Sequence, residues 1–204
     1  MTPHGIVVAA GAGTRFGGTK HTALLGGVPL WRRAARALED AGIDDVLVVG
    51  DVPGGIPGGA RRRDSVRAGL AEVPVFVEFV LVHDAARPLA TAALVRRIVD
   101  RLALGDVEGV VPAVPIRDTV KTVADGRVAA TVDRSGLVAV QTPQGFRRDA
   151  LLAAHDASDE DASDDALLVE RAGGSVAVVE GDPSNLKVTF PDDLAVAEAL
   201  LERR

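Results

Sequence analysis

Between Val7 and Gly27 the chain reads VVAAGAGTRFGGTKHTALLGG, an apolar run that enters a glycine-rich loop carrying Arg15 and then Lys20. Bare backbone N–H groups with two cations beside them suit an anion. Two common phosphate loops fail here. A P-loop needs Gly-Lys followed by Ser or Thr, whereas Lys20 stands between Thr19 and His21. The dinucleotide fingerprint needs Gly-x-Gly-x-x-Gly. Gly11, Gly13 and Gly17 are spaced one residue too wide, and Arg15 stands where a pyrophosphate would approach. Asp51, at the end of VVGD, offers the acidic residue of that fingerprint without repairing its spacing. A third arrangement fits: A-A-G-x-G-x-R, then Lys, then LLGGVPL. Here the backbone of Ala9, Ala10, Gly11, Ala12 and Gly13 can wrap a triphosphate, with Arg15 and Lys20 stabilising charge on a phosphoryl group under attack; a glycine turn with surface cations is the plainer alternative.

Other residues suited to chemistry follow. EFVLVHDAARP is a buried strand ending in His-Asp and a tight turn closed by Pro88. It presents Asp84 at a strand's carboxyl end, where a carboxylate binds Mg²⁺ with a triphosphate, accepts from sugar hydroxyls, or caps a loop. His83 reads as structural. Arg87 pairs with a carboxylate or reaches a phosphate. Lys187 follows the turn GDPSN. In RRRDSVRAGL, Asp64 is placed to cap a helix, and Ser65 to read a base edge with its hydroxyl and backbone.

The elements that must position these residues alternate. Strand candidates are 5–10, 45–50, 78–83, 108–114 and 174–181. Helix candidates are Pro29–Ala41, Asp64–Glu72, Thr91–Leu104, Arg147–His155, Asp164–Ala172 and Pro191–Leu201. Val, Ile and Leu fill the strands almost continuously, as in a sheet covered on both faces. The expectation is an α/β fold with a doubly wound, mostly parallel, Rossmann-like sheet in one domain over 1–204. Residues 115–136 break the rhythm. Asp-Gly in ADG, 124–126, between alternating residues signals a β-hairpin, here a projecting excursion of the surface or an arm that packs on a second subunit. The acidic stretch 156–165 reads as a solvated loop.

Composition narrows the class. The 204 residues are 47% hydrophobic and 25% charged, within the range of a globular domain. No apolar run approaches the roughly 20 residues of a membrane span, and the N-terminus lacks the basic start of a signal peptide. Cysteine is absent, which removes disulfides and thiolate metal sites. A net charge of −6 and 3% aromatic residues argue against a nucleic-acid partner. A cytoplasmic enzyme fits these features. The length leaves no room for a fused second enzyme, which is expected to be absent.

The order and spacing of RRRDSVRAGL (61–70), VLVHDAARP (80–88), IRDTVK (116–121), TVDRSGLVAVQTPQGF (131–146), SDDALLVERAGG (163–174) and NLKVTFPDDLAVAEALL (185–201) resemble the 2-C-methyl-D-erythritol 4-phosphate cytidylyltransferases along essentially the whole chain. The resemblance implies transfer of CMP from CTP to that alcohol phosphate, with Mg²⁺ and a homodimer formed through the arm. It implies Arg15 and Lys20 as transition-state stabilisers, and Arg134 and Lys187 as holders of the attacking phosphate. Thr119 and Thr142 match positions that hydrogen-bond the substrate, and Gly59 and Ser65 lie in the segment used for cytosine. The sequence departs from the pattern at Thr19, where Pro is usual, and at Ala60 and Arg61, where an acidic residue is usual. A ribitol 5-phosphate cytidylyltransferase and a non-catalytic nucleotide-binding module remain the alternatives at this point.

Overall fold

The computed structural model describes residues 3–11, 13, 16–18 and 20–203. In chain order the elements are β1 (His4–Val8), β2 (Leu24–Leu25), β3 (Val28–Pro29), α1 (Leu30–Glu39), β4 (Val46–Val49), α2 (Arg62–Glu72), β5 (Phe79–Asp84), α3 (Ala92–Leu102), β6 (Gly109–Pro115), β7 (Lys121–Ala124), β8 (Arg127–Thr131), β9 (Val138–Val140), β10 (Gln144–Arg147), α4 (Arg148–Ala157), α5 (Asp165–Arg171), β11 (Val176–Glu180) and α6 (Pro191–Leu201). The main sheet runs β11-β6-β10-β5-β1-β4, and β9 also pairs with β6. Strands β1, β4, β5, β6 and β11 share one direction, and β9 and β10 run against them. The expected doubly wound, mostly parallel sheet is therefore present. The chain from 138 to 147 was not foreseen as strand. It returns antiparallel beside β6, turns through a cis Thr142–Pro143 bond, and continues as β10 between β5 and β6.

Alternate side chains of the central strands enter opposite layers. Val7, Phe79 and Leu81 face a cluster with Leu38, Leu94 and Ile98 of α1 and α3. Ile6, Val80 and Val82 face one with Val66, Leu70, Leu151 and Leu168 of α2, α4 and α5. Two buried faces explain why these strands read as unbroken apolar runs. Each fully buried Val, Leu or Ile stabilises the fold by about 1.5–3 kcal/mol. A third cluster joins Leu25, Leu30, Leu89, Val188 and Ala197. It fastens α6 beneath the first loop.

The arm forms as its turn residues dictate. Asp125 (φ 49°) and Gly126 (φ 74°) both have positive φ, the type I′ pattern between β7 and β8. These strands pair only with each other and are exposed along their whole length. The acidic stretch 156–165 is, as read, a mostly exposed loop leading into a helix, and arginines at the start of α2 and along it also grip it. Arg67 pairs with Asp156 at 2.7 Å and Arg61 with Asp159 at 2.8 Å. Arg63 is 2% exposed and donates to the carbonyls of His155 and Ser158. A guanidinium carries five donors in a fixed fork, enough to close a loop whose carbonyls have no strand partner.

Helix α2 lies so close to the sheet that a Cβ on Gly69 would sit 2.8 Å from Ile6 Cγ2 and 3.1 Å from Val49 Cγ2. Gly69→Val should cost about 1–3 kcal/mol by overpacking. Chemical denaturation should show the midpoint falling with an unchanged m-value.

Candidate active site

In the sheet order, the chain leaves β1 for β4 on one side and then crosses back to β5 on the other. The crevice beyond the carboxyl ends of β1 and β5 is thus the switch point where ligands bind in such folds. A cleft of about 420 Å³ occupies it. Ala9, Ala10, Gly11, Gly13 and Lys20 line it from the first loop, Gly59 and Ser65 from the entry to α2, Asp84 from β5, and Lys187 from the segment before α6. Ala12 and Arg15 lie outside the described residues.

The first loop is wound on Gly13, whose carbonyl accepts from Phe16 N–H at 2.8 Å and Gly17 N–H at 3.1 Å. Its φ is +62°, and a Cβ there would lie 2.0 Å from the Gly18 oxygen, so only glycine fits. On the facing wall the Ser65 hydroxyl accepts from Gly59 N–H at 3.1 Å and donates to the Arg61 carbonyl at 3.3 Å. Ser65 thus braces the Gly59 segment while lining the cleft in which it was expected to read a base edge. Asp64 is not the N-cap of α2. It sits one turn inside and accepts the Arg61 N–H at 3.0 Å, because the helix begins two residues earlier than its sequence pattern suggested.

Asp84 is the junction. Lys187 Nζ donates to its Oδ2 at 2.7 Å and Arg62 Nε to its Oδ1 at 3.2 Å. Arg62 continues through Nη1 to Asp165 Oδ2 at 2.7 Å, and His155 Nε2 lies 3.2 Å from Asp165 Oδ1. Asp165 and His155 are almost fully buried. Burial alone would raise the Asp84 carboxyl, but Arg62 and Lys187 outweigh it and hold the group below the ordinary carboxylate range. Burial works against the Arg62 guanidinium, and Asp165 and Asp84 overcome it, so its pKa is raised.

Arg62, Asp84 and Lys187 also line a neighbouring recess of about 230 Å³, with Arg87, Thr142 and Gln144 among its other walls. Arg87 feels the charge of Asp84 but makes no direct ion pair among the described residues. It donates to the carbonyls of Asn185 at 2.8 Å and Val140 at 3.3 Å. Thr142 has its hydroxyl engaged, accepting from Asp84 N–H at 3.0 Å and lying 3.0 Å from His83 Nδ1. That hydroxyl anchors the strand end carrying Asp84. His83 is structural as expected.

Thr119 and Arg134 do not join this group within one chain. Thr119 is exposed at the start of the arm. Arg134 lines a separate surface recess with Arg117 and Ser135, and donates to the Ile116 carbonyl at 2.5 Å. The physical reason is that the arm is a sheet of its own, beginning beyond the end of β6. Arg62, Asp165 and His155 escaped notice in the sequence. Arg62 is the middle one of three consecutive arginines, and only the helix start decides which of them turns toward β5.

A doubly wound sheet with a glycine-rich loop, Lys20 and Lys187 at its switch point is the architecture of an α/β nucleotidyltransferase. Comparison with known proteins narrows this. The family profile described as IspD, 2-C-methyl-D-erythritol 4-phosphate cytidylyltransferase, matches residues 4–203, and the chain belongs to that family. It is 47% identical over 218 residues to the enzyme of that name from Nocardia farcinica, covering 98% of this chain and 94% of the relative. It is 43% identical to the bifunctional enzyme IspD/IspF of Nitratidesulfovibrio vulgaris, of whose length it spans 57%. The crystal structure of the cytidylyltransferase from Thermus thermophilus superposes with a TM-score of 0.84 at 33% identity, covering 97% of this chain and 98% of that one. The chain is thus an enzyme of the cytidylyltransferase class, acting in isoprenoid precursor synthesis.

Burial lowers the His83 imidazole to about 4, with Asp84 opposing and Arg87 reinforcing the shift. The unfolded chain binds this proton near pH 6.5 and the folded one does not, so stability falls as pH drops from about 6.5 toward 4, by at most about 1.4 kcal/mol per pH unit. Denaturation measured across that window should show a shallower acid slope in His83→Gln.

Proposed function

We propose that this chain transfers CMP from CTP to 2-C-methyl-D-erythritol 4-phosphate. The observation that carries the reading is the shared wall of Arg62, Asp84 and Lys187 between the nucleotide-sized cleft and the smaller recess. This shared wall supports a reading with two anion sites side by side. The triphosphate lies along the glycine loop beside Lys20, the base enters between Ala10, Gly59 and Ser65, and the alcohol phosphate occupies the recess walled by Arg87 and Thr142. Asp84 adjoins the ribose and the substrate hydroxyls.

A phosphate oxygen of the acceptor attacks the α-phosphorus, forming a P–O bond as the bond to the β-phosphoryl oxygen breaks and pyrophosphate leaves. The nucleophile is already anionic near neutral pH, so no general base is required. The burden is electrostatic: two anions must meet, and charge develops on the α-phosphoryl oxygens. Lys20, with Arg15, stabilises that charge, and Lys187 positions the attacking phosphate.

Among the described residues no group of three His, Asp or Glu forms a metal cage, and Asp84 is the only carboxylate lining the cleft. Both its oxygens already hold cations. This donor set suits a Mg²⁺ carried by the triphosphate, which Asp84 would help to hold as the carboxylate of the cleft. When bound, the ion lowers the repulsion between the two substrates.

The arm supports a homodimer. An isolated two-stranded hairpin is marginal in water, yet Val123 and Val128 are 64% and 63% exposed on it. A second copy covering the arm would bury these side chains and bring Thr119 and Arg134 to the neighbour's recess. A cytoplasmic location accords with the substrates. No helix of the described residues is long and apolar enough to cross a membrane.

Pyrophosphate release with CTP and methylerythritol phosphate, run beside ribitol 5-phosphate, tests the reading. Turnover confined to ribitol phosphate, or none at all, would reject it. Lys20→Ala should lower kcat by about 10²–10³-fold, the scale of one lost oxyanion-type donor, with unchanged thermal unfolding. Arg134→Ala should raise KM for the alcohol phosphate and leave KM for CTP unchanged in steady-state assays. Sedimentation of the same variant should still give a dimer.

A further inference from the structure

We infer that Arg62 is a positioning residue for the transfer, acting through Asp84 on Lys187; this deepens the proposed function and rests on it. Reaction between ligands in the cleft and in the recess must pass the wall they share, and that wall is the Arg62–Asp84–Lys187 row. Lys187 reaches it on an exposed stem, with its side chain 43% accessible. Its ammonium is placed by Asp84 Oδ2, and the other carboxylate oxygen is fixed by Arg62. Asp84 is thereby held at both oxygens and cannot rotate to follow the lysine.

Charge gives Arg62 a second task. The row and its buried extension contain the cations Arg62 and Lys187 and the carboxylates Asp84 and Asp165. Without Arg62, among the described residues Asp84 would keep Lys187 at one oxygen with Arg87 nearby, and Asp165 would keep His155, so the row would lose the one cation that both carboxylates share. A buried carboxylate that loses a partner is costly, so Asp84 would hold Lys187 more tightly and leave it less free to meet the substrate. Arg62 Nη2 is also buried and has no hydrogen-bond partner among the described residues, which leaves a donor unused beside the seam. Asp165 in turn is fixed from behind by His155. The arginine is therefore aimed from α2 and α5 at a strand end it does not belong to. Lysine could keep the charge at this position but could not bridge two carboxylates.

The test compares wild type, Arg62→Gln, Arg62→Lys and the double variant Arg62→Gln/Asp165→Asn by pyrophosphate release, with thermal unfolding alongside. In Arg62→Gln, kcat should fall about 10- to 100-fold, the scale of a misplaced reacting group. KM for methylerythritol phosphate should rise and KM for CTP should stay within about twofold, since the nucleotide's other contacts remain. Arg62→Lys should recover part of the loss. Adding Asp165→Asn to Arg62→Gln should also recover part, because it removes one of the two carboxylates left without Arg62. Wild-type kinetics in Arg62→Gln would overturn the inference. So would a loss relieved by neither Lys nor the added Asn, which would mark Arg62 as an element of the fold alone. If Arg62→Gln does not fold, Arg62→Lys carries the test: an acceptor KM equal to wild type overturns the inference, and a raised one supports it. Wild-type enzyme that releases no pyrophosphate would instead defeat the functional reading.

Discussion

The carboxylate of Asp84, held at the end of β5 between Lys187 on one oxygen and Arg62 on the other, is the interaction on which the site depends. A charged group so deeply placed survives only with partners. Meeting that requirement draws three distant parts of the chain together. Arg62 comes from the first turn of α2, Lys187 from the segment before α6, and Asp165, which orients Arg62, from the first turn of α5. The cleft and the recess are the spaces these approaches leave on either side.

The backbone around Asp84 is arranged to hold it still. Thr142, beside a cis peptide bond, accepts the Asp84 N–H, and the Asn185 side chain donates to the Thr142 carbonyl at 2.9 Å. Insertion of β10 between β5 and β6 is what brings Thr142 to this place. The same route carries the chain back from the arm, so the part of the molecule that projects outward is tied to the part that fixes the carboxylate. The exposed arm and the buried row are thus ends of one excursion between β6 and α4.

The grip of α2 on the acidic loop extends the same theme. Arg61, Arg62 and Arg63 are consecutive, yet they serve a surface pair with Asp159, a buried pair with Asp165, and backbone carbonyls of His155 and Ser158. Helical rotation of about 100° per residue sends neighbours to different environments. An exposed pair such as Arg67–Asp156 contributes little, about 0.2–1 kcal/mol. The buried members carry the structural consequence, because losing one partner strands a charge inside the protein.

The alternating fold, the Asp-Gly turn of the arm, the glycine-wound first loop and the placement of Asp84 at a strand end were all legible in the sequence. Each follows from local rules: apolar periodicity, positive φ at turn residues, and the carboxyl-end position of functional residues in such sheets. The first loop gave Lys20, the resemblance of the motifs gave Lys187 its role, and both line the cleft. Local rules are silent on pairs 22 to 103 residues apart, such as Arg62 with Asp84 and with Asp165, and on which arginine of three points inward. They are silent too on β10, whose four residues, Gln144–Arg147, mix polar and apolar and become a strand only because β5 and β6 part to receive them. Tertiary structure decided these, since a buried charge chooses its partner by position in space, and that position exists only once the sheet has formed.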